Sequence, residues 1–89
     1  MNYMVITYHD SFKGSDIDTS YAYRFSNLDD AIKFLIDSAY ERFKRYVDIA
    51  GAENSSIKIN NGSYARVYGK FNSIETNWYW ELFKVNGVD

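Results

Sequence analysis

Between Ser26 and Gly51, apolar residues return every three or four positions: Leu28, Ala31, Ile32, Leu35, Ile36, Ala39, Phe43, Tyr46, Val47 and Ala50. Steps of that size fall on one face of a helix with about 3.6 residues per turn. The spacing predicts one long amphipathic helix, with both ends marked. Ser26 is the predicted N-cap, with Asp29 three residues on. Asp29 and Asp30 place negative charge in the first turn, where the helix dipole favours it. Gly51 stands where a left-handed residue closes a helix. Any fold open to this chain must bury that stripe, so the remaining residues have to supply a matching apolar surface.

They read as strands. Tyr3 to Tyr8 is β-branched and aromatic, apolar on both faces, and predicts a central strand. His9 to Thr19 reads as a loop. Ser20 to Phe25 alternates, with Tyr21, Tyr23 and Phe25 on one face. After Gly51, Ala52 to Ser56 reads as a polar link and Ile57 to Ile59 as a short strand. Asn60-Asn61-Gly62 signals a type I′ hairpin turn, and Ser63 to Phe71 a fourth strand. Asn72-Ser73 is a second tight turn, and Ile74 to Val85 a fifth strand ending at Asn86-Gly87. The order β-β-α-β-β-β predicts an α+β domain, residues 1–89, in which one antiparallel sheet of four to five strands carries the helix on one face. Val5, Ala65, Val67, Phe71, Trp78, Trp80 and Leu82 are the expected helix-facing set. Flipping the last strand would expose the tryptophans instead. Gly69, inside a strand, signals a bulge or the close approach of a large neighbour such as a tryptophan.

A domain of 89 residues needs an efficient core, and 19% aromatic residues supply it. Cysteine is absent, which excludes disulfides and thiolate chemistry. The start of the chain lacks a basic leader, and no run approaches the roughly 18 apolar residues of a membrane span. A soluble cytoplasmic protein is the expectation. The net charge of −2 argues against a duplex-DNA binder, which needs a basic surplus.

Catalytic templates lack parts. His9 is the single histidine; a small enzyme using it is the least favoured reading, because Asp10, its neighbour, would point to the opposite face of a strand. Asp16-Ile17-Asp18-Thr19-Ser20 begins like a calcium loop, but Tyr21 stands where glycine is needed and Asn27 where a bidentate glutamate is needed. No metal or cofactor is expected.

Two surfaces are candidates for binding. Tyr64, Arg66, Tyr68 and Lys70 alternate, so they share one strand face, with Tyr79 beside them. Aromatics interleaved with cations suit a protein partner or a second copy of the chain. They also suit stacked single-stranded nucleic acid, although Glu75 and Glu81 weaken that case. The second surface is on the helix. Phe34 falls about 240° from Leu28 at about 100° per residue, among Asp37, Glu41 and other charged residues, the composition of a binding hot spot. Arg42 falls beside the apolar stripe, its stem expected to cover the core edge while its guanidinium reaches water. In its wealth of Asn, Lys, Ile, Tyr and Asp the chain resembles the small, acidic, cysteine-free proteins encoded by phages and mobile elements of low-GC bacteria. That resemblance implies an inhibitor or regulator that binds a host protein.

Overall fold

The computed structural model describes residues 2–11 and 17–85. In chain order it has β1 (Asn2–Ser11), β2 (Ile17–Phe25), α1 (Leu28–Ala50), a short 3-10 turn (Ala52–Asn54), β3 (Ser55–Asn60), β4 (Tyr64–Phe71) and β5 (Ile74–Val85). The strands form one five-stranded sheet in the order β2-β1-β5-β4-β3, antiparallel throughout. This is the expected β-β-α-β-β-β arrangement. The last three strands form a meander, and β1 lies between β2 and β5, the central position expected for it.

Several boundaries differ from expectation; β3, for one, runs over Ser55–Asn60 rather than Ile57 to Ile59. The helix cap is Asn27 rather than Ser26: its Oδ1 accepts from the backbone N–H of Asp29 at 2.7 Å and of Asp30 at 3.4 Å. Both residue types cap well, and the extended backbone of Asn27 (φ −125°, ψ 130°) makes it the last residue before the helix. Gly51 donates its N–H to the Val47 carbonyl at 2.9 Å. Its φ of 93° and ψ of 153° are not left-handed helical, but they too belong to glycine. The expected loop from His9 to Thr19 is shorter, because β1 runs to Ser11 and β2 starts at Ile17. The ladder to the 12-residue β5 carries His9 and Asp10 opposite Trp78 and Asn77. Asp16, the first oxygen of the calcium-like pattern, lies outside the described residues, and Ile17 to Ser20 is extended strand. Gly14 and Asn86-Gly87 also lie outside the described residues.

The core joins Ala31, Leu35, Ala39 and Tyr46 of α1 to Val5, Ala65, Val67 and Trp80 of the sheet, with Trp78, Leu82 and Phe71 packed against it. The tryptophans therefore face the helix. The helix lies nearest β4, where small residues admit it. A Cβ on Gly69 would stand 2.5 Å from Cδ2 of Tyr46 and 3.0 Å from Cζ of Phe71. The large neighbour of Gly69 is thus Tyr46, whose ring meets Phe71 edge-on with centroids 5.1 Å apart. No tryptophan fills that role. Gly69→Ala is expected to lower unfolding free energy by about 1–3 kcal/mol in urea denaturation. Adding Tyr46→Leu should recover part of that loss, although Tyr46→Leu alone destabilises.

Both hairpins of the meander turn through positive φ, at Asn61 (53°) and Gly62 (71°), and at Asn72 (49°) and Ser73 (72°). Two positive φ values in succession give the strand-matching twist of a type I′ turn. Ser73 holds that conformation without being glycine or asparagine. Ser73→Gly should therefore stabilise the domain by up to about 1 kcal/mol, read as a higher midpoint with unchanged slope in the same denaturation. A lower midpoint would show that the serine is not strained.

Candidate functional site

The strands alternate their side chains between the helix and the opposite side of the sheet, and on that outer side no element among the described residues packs. The register lines up one row across four strands: Tyr8 on β1, Tyr79 on β5, Arg66 on β4 and Lys58 on β3. Flanking rows set Tyr64 beside Glu81, and Tyr68 beside Asn77. Tyr8 and Tyr79 stack with centroids 4.8 Å apart and planes 21° from parallel. The Nε–H of Arg66 donates to Oδ1 of Asn77 at 2.9 Å, which ties the guanidinium to the neighbouring strand. Lys58 stands directly opposite Arg66 and Lys70 opposite Glu75. The like-charged Lys58–Arg66 pair is unfavourable for the sheet itself, so it concentrates positive potential at the β3 edge.

Five of the eight sequence-predicted site residues, Tyr64, Arg66, Tyr68, Lys70 and Tyr79, thus share the outer face. The three helix residues do not form a matching patch. Phe34 is half-buried: its ring lies 4.7 Å from that of Tyr23 and 5.2 Å from that of Phe25, centroid to centroid. The reason is geometric. Five strands spaced about 4.8 Å apart make a sheet about 19 Å wide, which outflanks a helix about 10 Å across, so β2 reaches a residue well away from the centre of the buried stripe. Asp37 points to solvent and takes a hydrogen bond from Lys33 Nζ at 2.7 Å. Glu41 lines a cleft on the helix side of the sheet.

That cleft was not signalled by any sequence motif. It has a volume of about 280 Å³ and opens between α1 and the β1–β2 side of the sheet. Thr7, Trp78 and Trp80 contribute its floor, Tyr21 and Tyr23 one wall, and the helix the other. Arg42 lies over Trp78, its guanidinium carbon 4.2 Å from the ring centroid; its head meets an aromatic face where the sequence suggested water. His9 stacks on Trp78 with centroids 4.9 Å apart, and its Nε2 is hydrogen-bonded to Oγ1 of Thr76. The available signals were Thr7, polar in an otherwise apolar and aromatic strand, and Arg42 beside the helix stripe. Only the fold sets them around one cleft. Among the described residues, no three His, Cys, Asp or Glu side chains gather to hold a metal, and no helix is long and apolar enough to cross a membrane.

No protein-family model matches the chain, and comparison with curated proteins and with solved structures found no match.

The outer face also carries a perturbed phenol. Burial raises the Tyr8 pKa far above the usual tyrosine range, reinforced by its hydrogen bond to the Glu81 carboxylate and by that charge. A phenol that holds its proton more tightly folded than unfolded stabilises the fold fully below the ordinary value of about 10. That contribution is lost as pH climbs from there toward the raised folded value. Stability measured by denaturant melts should therefore fall above about pH 10. Tyr8→Phe should flatten this fall, and an equally steep fall in the variant would show that other groups cause it.

Proposed function

We propose that this chain is a small non-enzymatic binding module that docks a protein partner on the outer face of its sheet. The observation that carries this reading is the cross-strand row of Tyr8, Tyr79, Arg66 and Lys58 on an uncovered face. Tyrosine and arginine are residues that protein interfaces favour: tyrosine gives large contact area with few freedoms to lose, and arginine gives several hydrogen-bond donors on a planar group that also stacks. The stack of Tyr8 on Tyr79 and the bond from Arg66 to Asn77 hold three of these side chains before any partner arrives, which lowers the ordering cost of association. Lys58 and Arg66 together suit a partner surface that is acidic. Glu75 and Glu81 within the same face favour a protein, with mixed charge, over a phosphate backbone. The compositional resemblance to phage-encoded inhibitors, with the absence of cysteine, supports a cytoplasmic host protein as that partner.

The test is affinity capture from host lysate with the wild-type chain, Arg66→Glu, Tyr68→Ala and the helix variant Asp37→Lys. A protein held by wild type and by Asp37→Lys but lost from both sheet variants is the expected result. Capture that survives both sheet variants would place the interface elsewhere. Salt-sensitive binding of a single-stranded oligonucleotide that Arg66→Glu abolishes would assign the face to nucleic acid instead. A concentration-dependent mass in light scattering that Tyr68→Ala removes would make the partner a second copy of the chain.

A further inference from the structure

The cleft beside α1 has no role in docking at the outer face, and its lining points to a ligand of its own. A volume of about 280 Å³ is room for roughly nine waters, or for one or two fused rings bearing a compact substituent. Half of its ten lining residues are aromatic and half are polar or charged. Trp78 and Trp80 present their rings from the floor, and Tyr21 and Tyr23, 53% and 40% exposed, stand along one side. Such surfaces hold planar rings by stacking and edge contacts.

Two further observations define the rest of the ligand. Thr7 is 5% exposed, and its Oγ1 has no hydrogen-bond partner among the described residues. A buried hydroxyl is normally paired, so this one is suited to an occupant that brings a donor or acceptor to the floor. On the helix wall, Arg42 and Arg45 face the cleft with the single carboxylate of Glu41, and no ion pair involves them among the described residues. The guanidinium carbon of Arg42 lies 4.2 Å from the Trp78 ring centroid, and an arginine side chain can grip an oxyanion in a forked, two-bond manner.

We propose that this cleft binds a small planar aromatic compound carrying an anionic group, a carboxylate or a phosphate. The rings lie against Trp78 and Trp80, the anion meets Arg42 and Arg45, and Thr7 Oγ1 bonds a polar atom at the inner edge of the ligand.

The probes are indole-3-acetate and phenyl phosphate, with neutral indole and acetate as the ring-only and anion-only controls. The full chain is titrated while the indole N–H signals of Trp78 and Trp80 are followed by NMR. Both signals should shift with at least one of the two aromatic anions, with a Kd below about 1 mM; which anion binds more tightly separates carboxylate from phosphate. Neutral indole and acetate should bind at least about tenfold more weakly. Arg45→Gln should weaken the aromatic anion about tenfold and leave indole unchanged. Thr7→Val should raise the melting temperature of the free protein while weakening the probe. Tyr68→Ala, on the outer face, should leave the titration as it is. The inference is overturned if neither aromatic anion moves the two signals at about ten times that concentration, if neutral indole binds as tightly as the acids, or if Arg45→Gln binds them unchanged.

Discussion

One helix cannot cover a five-stranded sheet, and most of what distinguishes this molecule follows from that mismatch. A helix is about 10 Å across and five strands are about 19 Å wide. The helix settles nearest β4, because Ala65 and Gly69 let it approach there and Tyr46 fills the space that a Gly69 side chain would have taken. Having closed on that side, it leaves the other side of the sheet short of cover. Phe34 partly fills the gap by meeting Tyr23 and Phe25, and Arg42 by lying over Trp78. The space that remains is the cleft. The outer face has no second layer at all among the described residues, so its side chains must be compatible with both water and contact.

The aromatic content answers both demands. Buried rings supply most of the contact area that a domain of this size would otherwise lack. The sheet uses tyrosine where only half of the side chain is covered, because a phenol buries its ring and keeps a polar tip. Where the tip is enclosed it has been given a partner: Tyr8 meets Glu81. Burial raises the pKa of Tyr46 as well, while the Thr76 hydroxyl and the Arg42 charge beside it pull the other way. Thr76 also holds His9, so a threonine deep in the sheet joins a helix residue to a β1 residue. The hydroxyl of Thr7, two residues along β1 from His9, breaks this habit.

The helix, the hairpins and the meander were legible in the sequence because each rests on local rules. Helical spacing marked α1, Asn61-Gly62 marked a turn, and alternation put Tyr64, Arg66, Tyr68 and Lys70 on one face. The choice between the two faces of β5 depended on pairing with β1, with its partner Thr7 opposite Trp80. That is a contact between chain ends that no local pattern encodes. Phe34 shows the same limit on the helix. A wheel gives its angle correctly but not the width of the sheet facing it, so a residue apparently turned to solvent is half-buried. The extension of β1 through His9, Asp10 and Ser11 was hidden for a related reason: these polar residues are held in strand by their ladder to β5 rather than by their own propensity.

Because neighbouring residues on a strand point to opposite sides, the outer face and the cleft are built on the same backbone. Thr7 and Trp78 belong to the cleft, and their chain neighbours Tyr8 and Tyr79 to the outer face. β1 and β5 are each paired on both sides, so the layer between the two surfaces is a ladder that resists bending locally. A substitution that removes a side chain from one surface therefore leaves the backbone of the other in place. The exception is a change that alters the ladder itself, such as a proline in β5, which would remove a donor and loosen both surfaces together. The division between the two surfaces thus follows the pleat of the sheet, residue by residue, rather than the division between helix and strands.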